Sequence, residues 1–263
     1  MQNAVAAGVG NPWAKRPAQA GIPYATGRDV IQANCRTQFT ADDFSFVVRV
    51  LARSPRDAVS LVTLLSDVEE RDAILDHDLV YDSLVDEVGC LQVSAAFYFY
   101  VLTRRVLRRV SLDERALTDY VAAVLLAFSH ISQLGAPQQA PVTARSFTYV
   151  SDLLTQLQKC PPEQAYMLRT HLASYSLFFS GMFADRVTAH AERRGAPGLS
   201  FYESVGQSSY LTAARHPQAK RTAHHDIFAL LGAEFRRVRL ALNNLADTLL
   251  HLHPPPSTII TPP

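Results

Sequence analysis

The sequence is poor in the residues that most often announce a function. Lysine occurs only at Lys15, Lys159 and Lys220, so the positive charge is almost all arginine. Lysine plus arginine nearly balance aspartate plus glutamate, 25 against 24, and the formal charge is +1. That balance speaks against a surface tuned as a whole to nucleic acid or anionic lipid, which would carry a marked basic excess. Cysteine is scarce and scattered: Cys35, Cys90 and Cys160 are odd in number and form no C-x-x-C pair. Neither a disulfide framework nor a zinc site is expected, and a reducing, cytoplasmic compartment fits best. No metal and no cofactor is expected.

Long apolar runs are also missing. "CLQVSAAFYFYVLT" is short, and "VAAVLLAFSHISQLGAPQQAPV" turns polar after its first turns, whereas a membrane span needs about 20 mainly apolar residues. The opening "MQNAVAAGVGNPWAKRP" lacks the basic head and continuous apolar segment of a secretory signal. No G-x-S-x-G elbow, H-E-x-x-H pair or phosphate-binding glycine loop occurs. These gaps lower the expectation of an enzyme without removing it, because catalytic groups can converge from distant helices.

What is present is helical spacing almost throughout, with 48% apolar residues to fill a core. The expectation is an all-α bundle of about eight to nine helices. An irregular arm is expected over 1–38, a helical domain over 39–253 and a Pro-rich tail over 254–263. "GAPQQAPV", near 135–143, divides two helical halves or crosses over within one bundle; both readings stay open.

Local signals place the helix starts. Thr40 with Asp43, Ser111 with Glu114 and Ser200 with Glu203 read as capping boxes, and Ser54 before Pro55 reads as a cap with proline at the first helical position. One helix is expected from Pro162 to about Arg193 and one from about Ala219 to His253. In the latter, Phe228, Leu231, Phe235, Val238, Leu242, Leu245, Leu249 and Leu252 step by three and four as a heptad seam, roughly 36 Å long. An internal core helix is the preferred reading over a dimerising coiled coil. Arg236, Arg237 and Arg239 lie off the seam and read as a solvated face. His224 with His225 and His251 with His253 lack the i, i+4 spacing that lets two imidazoles share an ion.

Three candidate functional features remain. Arg104, Arg105, Arg108 and Arg109 stack at i, i+4 as a basic ridge, suited to a protein partner or, less well given the net charge, to nucleic acid. The segment from Asp67 to Glu87 is acidic, with Arg71 its only cation; it would dock a basic partner or pair with the ridge inside the molecule. Its best calcium-loop register has Val80 and Tyr81 where an oxygen ligand and a glycine are required, so an EF-hand is excluded. Finally, Tyr202, Glu203, Tyr210 and Asn244 would orient a small ligand if they faced one cavity, against the reading in which the small residues Ser174, Ser176, Ser180 and Gly181 merely permit close helix crossing.

"YSLFFSGMFADRV", "GLSFYESVGQSSYLTAA" and "VRLALNNLAD" resemble stretches of uncharacterised bacterial all-helical proteins over the last third of the chain. The resemblance implies no activity, cofactor or site residue. The leading functional expectation is a protein acting through protein contacts, as a hetero-partner or a homodimer. A small-molecule-binding protein or enzyme is the alternative, and nucleic-acid binding comes after it.

Overall fold

The computed structural model describes residues 30–86, 92–133 and 142–252, and the first part of the expected arm, most of the 135–143 linker, Cys90, His253 and the expected tail lie outside them. Among the described residues there are thirteen α-helices and no strand, more helices than the spacing alone predicts. A 3-10 turn, Cys35–Gln38, leads into α1 (Ala41–Leu51), α2 (Pro55–Ser66), α3 (Val68–Leu75), α4 (Asp78–Val85), α5 (Ala95–Arg109) and α6 (Arg115–Gln133). These are followed by α7 (Val142–Lys159), α8 (Pro162–Met182), α9 (Ala184–Arg194), α10 (Leu199–Ala214), α11 (Pro217–Arg221), α12 (His225–Ala233) and α13 (Phe235–Leu252).

The excess comes from breaks that apolar periodicity does not register. Phe183, at φ −130° and ψ 32°, separates α8 from α9, where its ring packs on Phe178 and Phe179. The carbonyls of Ser180 and Gly181, near the end of α8, accept hydrogen bonds from Asn243 Nδ2 at 3.0 and 2.5 Å. Groups that would be orphaned at a helix end are thereby satisfied. Glu234 interrupts the expected C-terminal helix between α12 and α13. The seam nevertheless continues across the break, since Phe228, Leu231, Phe235, Val238, Leu242 and Leu245 are all buried. It is spent within the chain, as the internal reading requires.

Two of the three capping boxes are misread. Thr40 and Asp43 form theirs, and Asp43 also accepts from Ser94 N at 2.6 Å and Ser94 Oγ at 2.7 Å, so one buried carboxylate ties the starts of α1 and α5 together. Ser111 instead follows the end of α5 in the left-handed conformation, φ 58°. Ser111 N donates to Arg108 O, and Leu112 N donates to Leu107 O. This is a Schellman termination with serine where glycine is usual. Ala223, φ 56°, occupies the equivalent position after α11, where His224 N donates to Ala219 O. Ser200 is not the cap of α10 either; Gly198 is, without a side-chain bond.

The first half of α5 and most of α6 are buried on nearly every side and lie at the centre, as all-round apolar segments must. They overlap the two uncharged runs weighed as spans, and no helix among the described residues is long and apolar enough to cross a membrane. One buried cluster runs from Ile31 and Cys35 to Leu245, so segments before and after 134–141 share a core and residues 31–35 of the expected arm belong to it. A smaller cluster of Val150, Leu153, Leu172, Phe179, Val187 and Tyr202 joins α7, α8, α9 and α10. Small residues set close crossings: a Cβ on Gly181 of α8, where a close crossing was the expectation, would lie 2.9 Å from Leu242 Cβ in α13, and one on Gly206 of α10 would lie 2.3 Å from ring atoms of Phe235 in α13.

Candidate functional site

The arginine ridge is already occupied. Arg104, only 5% exposed, grips Asp76 through Nε to Oδ1 at 2.5 Å and Nη2 to Oδ2 at 2.7 Å, and reaches Asp113 at 3.1 Å. Arg108 meets Asp76 at 3.0 Å. Arg105 pairs with Asp78 while its guanidinium lies 5.3 Å from the centre of the Tyr81 ring. Arg109 is exposed. Three of the four arginines thus pair with acidic residues of their own chain, and the ridge is a seam between α5 and the segment carrying α3 and α4. Deeper in the same region, buried Asp72 has Arg115 Nε at 2.7 Å and the Tyr100 hydroxyl at 3.4 Å. Burial holds the Asp119 carboxyl above its ordinary range, although Arg36 N donates to it at 2.9 Å.

The second candidate set does not converge. On α10, Tyr202 is buried in the smaller cluster, while Tyr210 sits in the main core, where its hydroxyl is 3.0 Å from Ser174 Oγ. Ser174 Oγ is also 2.9 Å from the Tyr120 hydroxyl and donates to Thr170 O. The group therefore has its hydrogen bonds met inside the core. Glu203 accepts from Arg239 Nε at 2.6 Å, and Arg239 is buried, which corrects its reading as part of a solvated face. Asn244 is exposed, and its neighbour Asn243 makes the inward contacts. A step of one residue on a helix is about 100°, which turns Asn243 inward and Asn244 out to solvent. Tyr202, Glu203, Tyr210 and Asn244 thus lie in separate surroundings.

His224 and His171 serve packing. His224 stacks on Phe228 at 5.1 Å and meets Thr222 Oγ1 at 2.8 Å, and burial lowers its pKa. His171 lies under Phe128, 2.6 Å from the Tyr149 hydroxyl, and burial lowers its pKa to about 4. Among the described residues, no three His, Cys, Asp or Glu side chains are placed to hold a metal ion.

An open apolar groove of about 590 Å³ lies where α1, α2 and α3 meet the start of α4. Its walls include Leu51, Leu61, Leu64, Ile74 and Leu79, with Asp57, Arg53 and His77 among its polar residues. Leu64 is 42% exposed and Leu79 46%. Local chemistry makes the walls: Ser54 and Pro55 start α2, and Asp67 accepts from Glu69 N and Glu70 N to start α3 immediately afterwards. Ionisation of Asp67 is favoured by those two bonds, which lower its pKa. Of the apolar residues of α2, only Leu65 is fully buried; Val59 and Val62 stand in solvent on the flank away from the groove. Val59, Val62, Leu64 and Leu65 therefore do not form one core-facing side. The available signal was the spread of apolar residues around more than one stripe of α2, wider than a single packed face requires.

Comparison with protein-family models, curated proteins and solved structures finds no match.

Proposed function

We propose that this is a docking protein of the bacterial cytoplasm, which binds a segment of another protein in the groove formed by α1 to α4. The observation that carries the reading is the groove itself, with Leu64 and Leu79 exposed on its walls. Exposed apolar surface gathered in a concave patch and rimmed by charge is a usual mark of protein contact. Free thiols at Cys35 and Cys160 support a reducing compartment. The internal pairing of Arg104, Arg105 and Arg108 leaves only Arg109 of the ridge for nucleic acid, and the separation of Tyr210 from the exposed Asn244 gives a pocket among them less support.

The test is photo-crosslinking in source cells from Ser60, which is exposed and lines the groove, with Arg236 on α13 as the control position. Discrete protein adducts from position 60 that vanish with Leu64→Glu, and do not form from position 236, support the reading. The same adducts from both positions, or adducts indifferent to Leu64→Glu, overturn it. An adduct with a second copy would assign the face to a homodimer.

A further inference from the structure

We infer that the groove takes a basic amphipathic helix, its apolar side on Leu61, Leu64, Ile74 and Leu79 and its cations along the α2 and α3 rim. The inference rests on the docking reading above and specifies its partner. On α3, Ala73 and Ile74 line the groove, so Glu69 and Glu70, four residues before them, sit one turn along the same faces. Both glutamates are exposed, and Asp57 lines the groove from α2. Asp67 is exposed at the junction of α2 and α3, whereas Asp78 is already paired with Arg105.

The segment's own arginine is held at the α2–α3 junction, where its charge acts on Asp67 and not along the groove wall. Arg71 Nε donates to Leu65 O at 2.8 Å, and its guanidinium lies 5.3 Å from the centre of the Phe44 ring. Arg53 and Arg56 are the exposed cations beside α2, fewer than the carboxylates around them. Apolar walls under an acidic rim complement a helix with an i, i+3, i+4, i+7 row of large apolar residues flanked by lysine or arginine.

The experiment measures fluorescence anisotropy of labelled peptides of about 18 residues, five helical turns, titrated with the full chain. One peptide places leucine on a single face and lysine elsewhere, a second scrambles the same composition, and a third replaces lysine with glutamate. The facial lysine peptide is expected to bind at least about tenfold more tightly than either of the others. Binding should weaken with added salt, because exposed charges are screened. Leu64→Glu and the double change Glu69→Lys with Glu70→Lys should each weaken it about tenfold, whereas Val59→Glu on the opposite flank should not. Circular dichroism melts confirm that these surface variants fold.

Equal binding of the scrambled peptide, or retention by Leu64→Glu, overturns the inference. Preference for the glutamate peptide overturns the basic occupant while leaving groove docking intact. Absence of binding by all three peptides, with position-60 adducts still formed, likewise overturns only the helical occupant. Absence of those adducts overturns the docking reading itself.

Discussion

Arg104 holds Asp76 by two parallel hydrogen bonds, at 2.5 and 2.7 Å, across the junction of α5 with the end of α3. A guanidinium matched to a carboxylate in this way is a planar, bidentate pair that lysine does not reproduce. Asp76 also meets Arg108, and Asp113 meets both arginines. The cluster is therefore a structural joint.

Removing Arg104 should leave Asp76 and its desolvated surroundings poorly compensated. Arg104→Ala is expected to cost about 2–4 kcal/mol in urea unfolding, and Arg104→Lys to recover only part of it. The exposed Arg109→Ala is expected to change stability little. Equal melting of Arg104→Ala and wild type would remove the joint from the account.

His171 makes the fold sensitive to mild acid. Burial lowers its pKa from the ordinary 6.5 to about 4, so between those values the unfolded chain takes up a proton that the native chain refuses. The stabilisation is full above pH 6.5 and is lost as pH falls towards 4, amounting to about 3 kcal/mol. His224, lowered for the same reason, acts in the same direction. Asp119, raised by burial, acts in the opposite direction as its carboxyl takes up a proton, so the measurement belongs between pH 5 and 7. Thermal melts across that range should show a shallower slope for His171→Gln than for wild type. An unchanged slope would refute the assignment.

The two left-handed non-glycine residues can be relieved. Ser111→Gly and Ala223→Gly are each expected to raise stability by about 0.5–1 kcal/mol, since removing the Cβ relieves the steric cost of positive φ by more than the added freedom of the unfolded chain. Calorimetry on both single variants and the double variant checks this, and additivity is expected because the sites end different helices. A fall in melting temperature would show that the side chains offset the strain.

The parts legible in the sequence are those decided within a few residues. The Thr40 and Asp43 box and the Ser54, Pro55 start form as read because both partners of each bond lie in one turn. The same pattern fails at Ser200 because Glu203 finds Arg239, buried and 36 positions away, a bond no local window contains. The break at Phe183 was invisible because an aromatic residue continues an apolar pattern, and the side chain that receives the helix end, Asn243, lies on another helix. The groove is not legible for a different reason: the spacing of Leu61, Leu64 and Leu65 is the same whether a helix is covered or bare.

Gly206 and Phe235 share one volume, since any side chain at the first would enter the ring of the second. In an interior packed as densely as an organic crystal, neither position can change size alone without a penalty. For a lineage under selection for stability, both single steps are therefore penalised, enlargement at 206 by overlap and truncation at 235 by a cavity, so the two positions are expected to change together or not at all.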